Sequence, residues 1–100
     1  MHKKHYNCAQ NVLHAFKDKY KLSDDLIKEF RKYGFGKSPN GECGAIFTAK
    51  FLLKDDHNKA KNIEEKFLNL IGETKCKLIR SQKKFSCKDC IKTAINLLKE

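Results

Sequence analysis

The sequence predicts an all-α fold, a compact single-domain bundle of four longer helices plus one or two short ones over residues 1–100. Apolar residues recur at intervals of three and four, the spacing of amphipathic helices, and no segment alternates convincingly with the period of a strand. Three of the five glycines and the only proline fall within residues 34–41. A chain of 100 residues is long enough for one modest core and too short for a second.

Two helices and a loop are predicted in the first half of the chain. Apolar residues at helical spacing run through residues 6–20. A second helix begins after Ser23, a good N-cap, and ends at Gly34, a residue type common just after a helix. The loop of residues 34–41 follows, and its glycines are expected to bring backbone N–H groups next to the following cysteine, which would make the loop functional.

Three further helices and a short one are predicted in the second half. Residues 42–53 form the third helix, and a fourth follows until Gly72 stops it. Thr74 is the expected cap of a short helix. Ser86 is the expected cap of the last helix, in a near-capping box with Asp89.

Charge and hydropathy narrow the class of protein. The formal net charge is +10, but Arg31 and Arg80 are the only arginines and the lysines are spread along the chain. This pattern favours a solvated lysine surface over nucleic-acid binding, and it favours acidic protein partners. There is no apolar run of signal-peptide type, and the longest apolar stretch, residues 45–53, is too short to span a bilayer. We therefore expect a cytoplasmic protein with no membrane span.

Five cysteines in so short a chain are its most informative feature. In a reducing cytoplasm they are rarely permanent disulfides, so thiol redox chemistry, metal ligation and simple core packing are the alternatives. The four histidines form no ligand pair and receive no catalytic role. The cysteines are Cys8, Cys43, Cys76, Cys87 and Cys90.

The predicted positions of these cysteines favour chemistry over packing for three of them. Cys43 and Cys87 fall in first helical turns, where the helix dipole stabilises a thiolate, so both are expected to be partly exposed nucleophiles. Cys76 lies between two lysines. Cys8 and Cys90 lie on apolar faces, where packing is an equal alternative.

The order of the cysteine segments resembles that of a known family. Asn-Cys-Ala-Gln (7–10), Gly-Glu-Cys-Gly-Ala (41–45), Cys76 and Cys-Lys-Asp-Cys-Ile (87–91) are similar to the redox-active family named for its C…GCAxxG…C…C signature. The resemblance covers nearly the whole chain and implies a functional set: Cys8, Cys43, Gly44, Ala45, Cys76 and Cys87. Thr48 stands where the motif's last glycine is expected, and Cys90 is additional.

Two functional hypotheses follow, with idle cysteines in a structural adapter as a third. The first is a thiol–disulfide redox protein with no organic cofactor, in which Cys43 and Cys87 attack and Cys8, Cys76 or Cys90 resolves the mixed disulfide. Gly41, Gly44 and Ala45 would support the site. The second is a metal protein holding zinc or an iron–sulfur centre through four thiolates. Its ligands would be Cys8, Cys43, Cys76 and Cys87.

Overall fold

The computed structural model describes residues 6–34 and 37–99. Within these ranges the chain forms six α-helices and no β-strand, which confirms the predicted all-α fold. His2, His5 and two residues of the predicted loop, Phe35 and Gly36, lie outside the described residues. The helices are α1 (Cys8–Ala15), α2 (Asp24–Glu29), α3 (Gly44–Leu52), α4 (His57–Ile71), α5 (Cys76–Gln82) and α6 (Cys87–Leu98).

Two apolar clusters hold the bundle together. The main core joins the inward faces of α1, α3, α4 and α6, and it contains three of the cysteines. A smaller cluster forms where α2 covers one side of α1, and its buried members are Ala9, Leu13, Ile27 and Phe30. Because α1 contributes to both clusters, its position is fixed from two sides.

α1 is shorter than the predicted helix of residues 6–20, because the chain turns after Ala15. Phe16 leaves helical geometry, and Lys21 adopts a left-handed backbone with a φ of 53°. A backbone hydrogen bond from Leu22 to the carbonyl of Lys17 closes this turn at 2.9 Å. The turn lets Leu22 pack against the smaller cluster, so tertiary packing outweighs the local helical pattern.

The end of the second predicted helix also differs from expectation. Ser23 caps α2 as predicted, but the helix tightens into a 3₁₀ segment, Phe30–Tyr33. Gly34 then has an extended backbone (φ −83°) in place of the left-handed one expected after a helix. A Cβ at this position would lie only 2.4 Å from the Asn7 side-chain nitrogen, so close packing explains the glycine.

The remaining helix boundaries test the predicted caps. Ser86 caps α6 in a full capping box with Asp89, and Gly72 ends α4 in a left-handed conformation (φ 94°), both as predicted. The prediction for Thr74 is wrong, because α5 has Lys75 as its N-cap and no side-chain capping hydrogen bond. Over residues 6–34 and 37–99, no helix is both long and apolar enough to cross a membrane.

Candidate thiol site

A buried capping box places Cys8 at the start of α1. Asn7 accepts a hydrogen bond from the Gln10 amide at 2.8 Å, and the Gln10 side chain accepts one from the Asn7 amide at 3.1 Å. The Asn7 side chain also donates to the carbonyl of Arg31, and that of Gln10 donates to Ile27. The polar residues of the Asn-Cys-Ala-Gln segment therefore position the cysteine, a role that the Asn-x-x-Gln spacing would have indicated.

A short backbone contact positions Cys43 beside the segment that leads into α5. The Cys43 amide donates to the carbonyl of Thr74 at 2.7 Å, and Glu42 and Lys75 form an isolated antiparallel bridge. The side chain of Lys75 also donates to the carbonyl of Asn40. These contacts bring the entry to α3 next to the entry to α5, so the two segments before Cys43 and Cys76 are adjacent.

An ion-pair network anchors the same segment to two helices. The ammonium of Lys50 in α3 lies 2.7 Å from Glu42 and 2.6 Å from Glu64 in α4. Burial raises the pKa of Glu42, although the hydrogen bond from Lys50 opposes it. The hydrogen bond from Lys50 lowers the pKa of the more exposed Glu64. The residue before Cys43 is thus held by charge as well as by its backbone.

Gly44 allows α1 to approach the start of α3 closely. A Cβ built at Gly44 would lie 2.6 Å from the Cys8 sulfur, 3.0 Å from the Tyr33 carbonyl oxygen and 3.1 Å from the Ala9 nitrogen. Ala45 beside it is fully buried. The close approach expected of the motif therefore occurs at Gly44, whereas Thr48 is packed into the core. Within the described part of the chain, the Thr48 hydroxyl has no hydrogen-bond partner.

Cys43 is the centre of a buried group of three thiols. The thiols of Cys8 and Cys90 lie close enough to that of Cys43 to influence its ionisation. All three belong to the main core, and their exposed fractions are 4% for Cys43, 6% for Cys8 and 1% for Cys90. Helices α1, α3 and α6 thus each contribute one sulfur to the same region.

The surroundings of Cys43 keep its thiol protonated. The hydrogen bond with Cys8 is the largest single influence and lowers its pKa, as the Ala45 amide also does. The hydrogen bond with Cys90, burial and the charge on a Cys90 thiolate act in the opposite direction, and together they raise the pKa of Cys43 from 9.0 to about 12. The prediction that Cys43 is partly exposed is wrong, because its side chain is buried in the core. The raised pKa, which Cys90 and burial together cause, also runs against the predicted thiolate.

Cys87 is the exposed member of the five. It begins α6, yet its pKa is raised above 9.0, first by partial desolvation of the sulfur and then by the neighbouring thiols of Cys8 and Cys76. Arg80, which sequence reasoning did not single out, lowers the pKa. The predicted depression of the Cys87 pKa is therefore wrong, although the predicted exposure is confirmed.

Cys76 and Cys90 are both buried, with Cys76 at the first position of α5. Cys76 influences the ionisation of Cys87, and Cys90 influences that of Cys43. Each of the five thiols is therefore near at least one other. No signal in the sequence would have paired Cys43 with Cys90, because only the packing of α3 against α6 brings them together.

Three backbone amides at the end of the loop already donate to other acceptors. The amide of Gly41 donates to Ser38, that of Glu42 to Pro39 and that of Cys43 to Thr74. Gly41 has a left-handed backbone (φ 70°), which a glycine tolerates best. Gly41 therefore serves the turn. The amides of Gly41, Glu42 and Cys43 are not the free N–H groups that the sequence predicted beside the cysteine.

The metal hypothesis requires at least three ligands that can reach one ion. Among residues 6–34 and 37–99, no group of three or more histidine, cysteine, aspartate or glutamate side chains is arranged to hold one. The proposed ligand set of Cys8, Cys43, Cys76 and Cys87 is therefore close in space but is not gathered around a common point.

The described residues thus form an all-α bundle whose cysteines come from several helices. Residues 6–100 match the family described as "Putative redox-active protein (C_GCAxxG_C_C)", and the chain belongs to that family. The resemblance noted from the cysteine segments is confirmed. No curated protein and no solved structure matches the chain.

Proposed function

We propose that this chain is a thiol–disulfide redox protein that works without an organic cofactor. The observation that carries the proposal is the arrangement of one exposed thiol, Cys87, beside buried ones. Cys8 and Cys76 are close enough to influence the ionisation of Cys87, and both are buried. Thiol–disulfide exchange by one chain needs an accessible thiol that attacks and a second thiol nearby that resolves the mixed disulfide.

The proposed reaction begins with a disulfide on a partner molecule. The Cys87 thiolate attacks one sulfur of that disulfide, a bond forms between the two sulfurs, and the other partner sulfur leaves as a thiolate that takes a proton. Cys8 or Cys76 then loses its proton and attacks the Cys87 sulfur, which releases the second partner thiol. The partner disulfide is reduced to two thiols, and two cysteines of the chain are oxidised to one disulfide.

The charge of the chain gives a preference among partners. A net charge of +10 attracts acidic proteins and speeds their encounter at low ionic strength. We therefore propose an acidic protein disulfide as the substrate class and the reducing cytoplasm as the compartment.

The proposed function is tested by exchange with hydroxyethyl disulfide. The reduced protein should first gain one hydroxyethylthio group at Cys87, and then lose it as an internal disulfide to Cys8 or Cys76 forms, both seen by peptide mass mapping. The Cys87→Ser variant should lose the first step, whereas the neighbouring Lys88→Gln variant should retain it. Absence of exchange at Cys87, or first reaction at a buried cysteine, would contradict the proposal.

A further inference from the structure

The thiols form a series that leads from the surface to the core. Cys87 is exposed, and Cys8 is near enough to influence its ionisation. The Cys8 sulfur packs against the start of α3 next to Cys43, where a Cβ at Gly44 would lie 2.6 Å from it. Cys43 and Cys90 share the main core, in which α3 packs against α6. The sulfur of Cys43 thus has two potential partners, one toward the surface and one deeper in the core.

We propose that Cys90, the cysteine outside the family signature, is the terminal resolving thiol of an internal relay that ends in a Cys43–Cys90 disulfide. The inference rests on the proposed function and adds the direction in which the disulfide moves. Its basis is that Cys43, Cys8 and Cys90 lie in one apolar cluster formed by three packed helices. Cys90 has an exposed fraction of only 1%, so it can react with another cysteine of the chain and not with a bulky partner.

The relay consists of two exchanges after the Cys87–Cys8 disulfide has formed at the expense of the partner disulfide. In the first, Cys43 attacks the Cys8 sulfur, a Cys8–Cys43 bond forms, and Cys87 leaves. In the second, Cys90 attacks the Cys43 sulfur, a Cys43–Cys90 bond forms, and Cys8 leaves. Each attacking thiol gives up one proton and each leaving thiolate takes one. One disulfide bond breaks as another forms, so the chain is not oxidised further.

Burial of the inner thiols should make the inner exchanges slow and should protect the final disulfide. Because the Cys43 thiol is held protonated, the inner exchanges should be slower than the exchange at Cys87. The final disulfide is shielded from solvent, while Cys87 and Cys8 return to the thiol state. The protein could then accept a second disulfide from a partner before the first is removed.

The relay is tested by following disulfide pairing over time after one equivalent of hydroxyethyl disulfide is added to the reduced wild-type protein. Samples quenched with acid and mapped by mass spectrometry should show Cys87–Cys8 first and Cys43–Cys90 as the final product. In the Cys90→Ser variant the final product should instead contain Cys8–Cys43. The Ile91→Val variant, which alters an adjacent buried residue of the same helix, should show the wild-type pairing.

The outcomes separate the relay from the function on which it rests. If Cys87 exchanges but the wild-type pairing stops at Cys87–Cys8 or Cys87–Cys76, the relay is wrong and the proposed function stands. If Cys87 never exchanges, the proposed function itself fails. Because the wild-type series needs no substitution, the test does not depend on the folding of the Cys90 variant.

Discussion

The pKa of Cys87 is set by partial burial and by three neighbours, and these influences act in opposite directions. Partial desolvation and the thiols of Cys8 and Cys76 disfavour its thiolate, and Arg80 favours it. The position at a helix start, which suggested an acidic thiol, is therefore not decisive. A thiol with a raised pKa is a slow nucleophile at neutral pH, but its thiolate is intrinsically strong once formed.

This balance predicts the pH dependence of the reaction at Cys87. Because its surroundings raise the pKa of Cys87, the thiolate should be the minor form at neutral pH and its fraction should still be growing at pH 8.5. Rates of iodoacetamide alkylation at Cys87, measured by mass spectrometry across this range, should rise without a plateau. A plateau below pH 8 would show that the thiolate is stabilised after all.

A second prediction about Cys87 concerns the charge of Arg80. Replacing Arg80 with glutamine should remove the influence that lowers the Cys87 pKa and slow alkylation at pH 7.5 by roughly twofold, because the charge acts partly through solvent. The Lys88→Gln variant removes an equal charge next to Cys87 in sequence and serves as the control. Equal slowing in both variants would mean that net charge, and not Arg80 itself, governs the site.

At the scale of the helices, the close approach of α1 to α3 depends on Gly44. Replacing Gly44 with alanine would force the Cys8 sulfur and two backbone atoms to move, at a cost of about 1–3 kcal/mol in the free energy of unfolding. It should also expose Cys8 and speed its alkylation. Gly41→Ala is the matched control, because that position has a left-handed backbone but no atom within 4 Å of the new Cβ.

Denaturant unfolding and alkylation of Cys8, measured on both variants, test whether the close packing at Gly44 holds Cys8 in place. Gly41→Ala should cost about 1 kcal/mol through backbone strain and leave Cys8 labelling unchanged. If Gly44→Ala left both the stability and the labelling of Cys8 as in the wild type, the close packing of the two helices would not constrain the thiol.

The helices also show how far the sequence could predict the structure. The caps at Ser23 and Ser86 and the stop at Gly72 are local signals, and all three are confirmed. The early end of α1 and the N-cap of α5 depend on packing and on pairing with a distant segment, so local patterns could not indicate them.

In the candidate site, too, local sequence could predict some features and only packing could determine others. The five cysteines and the importance of Gly44 could be identified from residue types and spacing. The burial of each cysteine could not be predicted, because the exposed Cys87 and the buried Cys43 both stand at helix starts. Tertiary packing alone decides which sulfur reaches the surface.

At the scale of the whole molecule, the bundle brings together cysteines from four separate segments of the chain, with Cys87 exposed and the other four buried. They lie in or at the start of four helices, and the packing of α1, α3 and α6 buries Cys8, Cys43 and Cys90 in one apolar core. The central claim is that Cys87 is the first thiol to react with an external partner and that the buried sulfurs exchange with it from inside the protein.

Timed alkylation of the reduced native protein tests this claim most directly. Iodoacetamide is added at pH 8 and each cysteine is followed by peptide mass spectrometry. Cys87 should be labelled well before the four buried cysteines, and Cys43 and Cys90 should react only as fast as the protein opens, since both are buried in the core. Labelling of Cys43 or Cys90 before Cys87 in the folded protein would contradict the account.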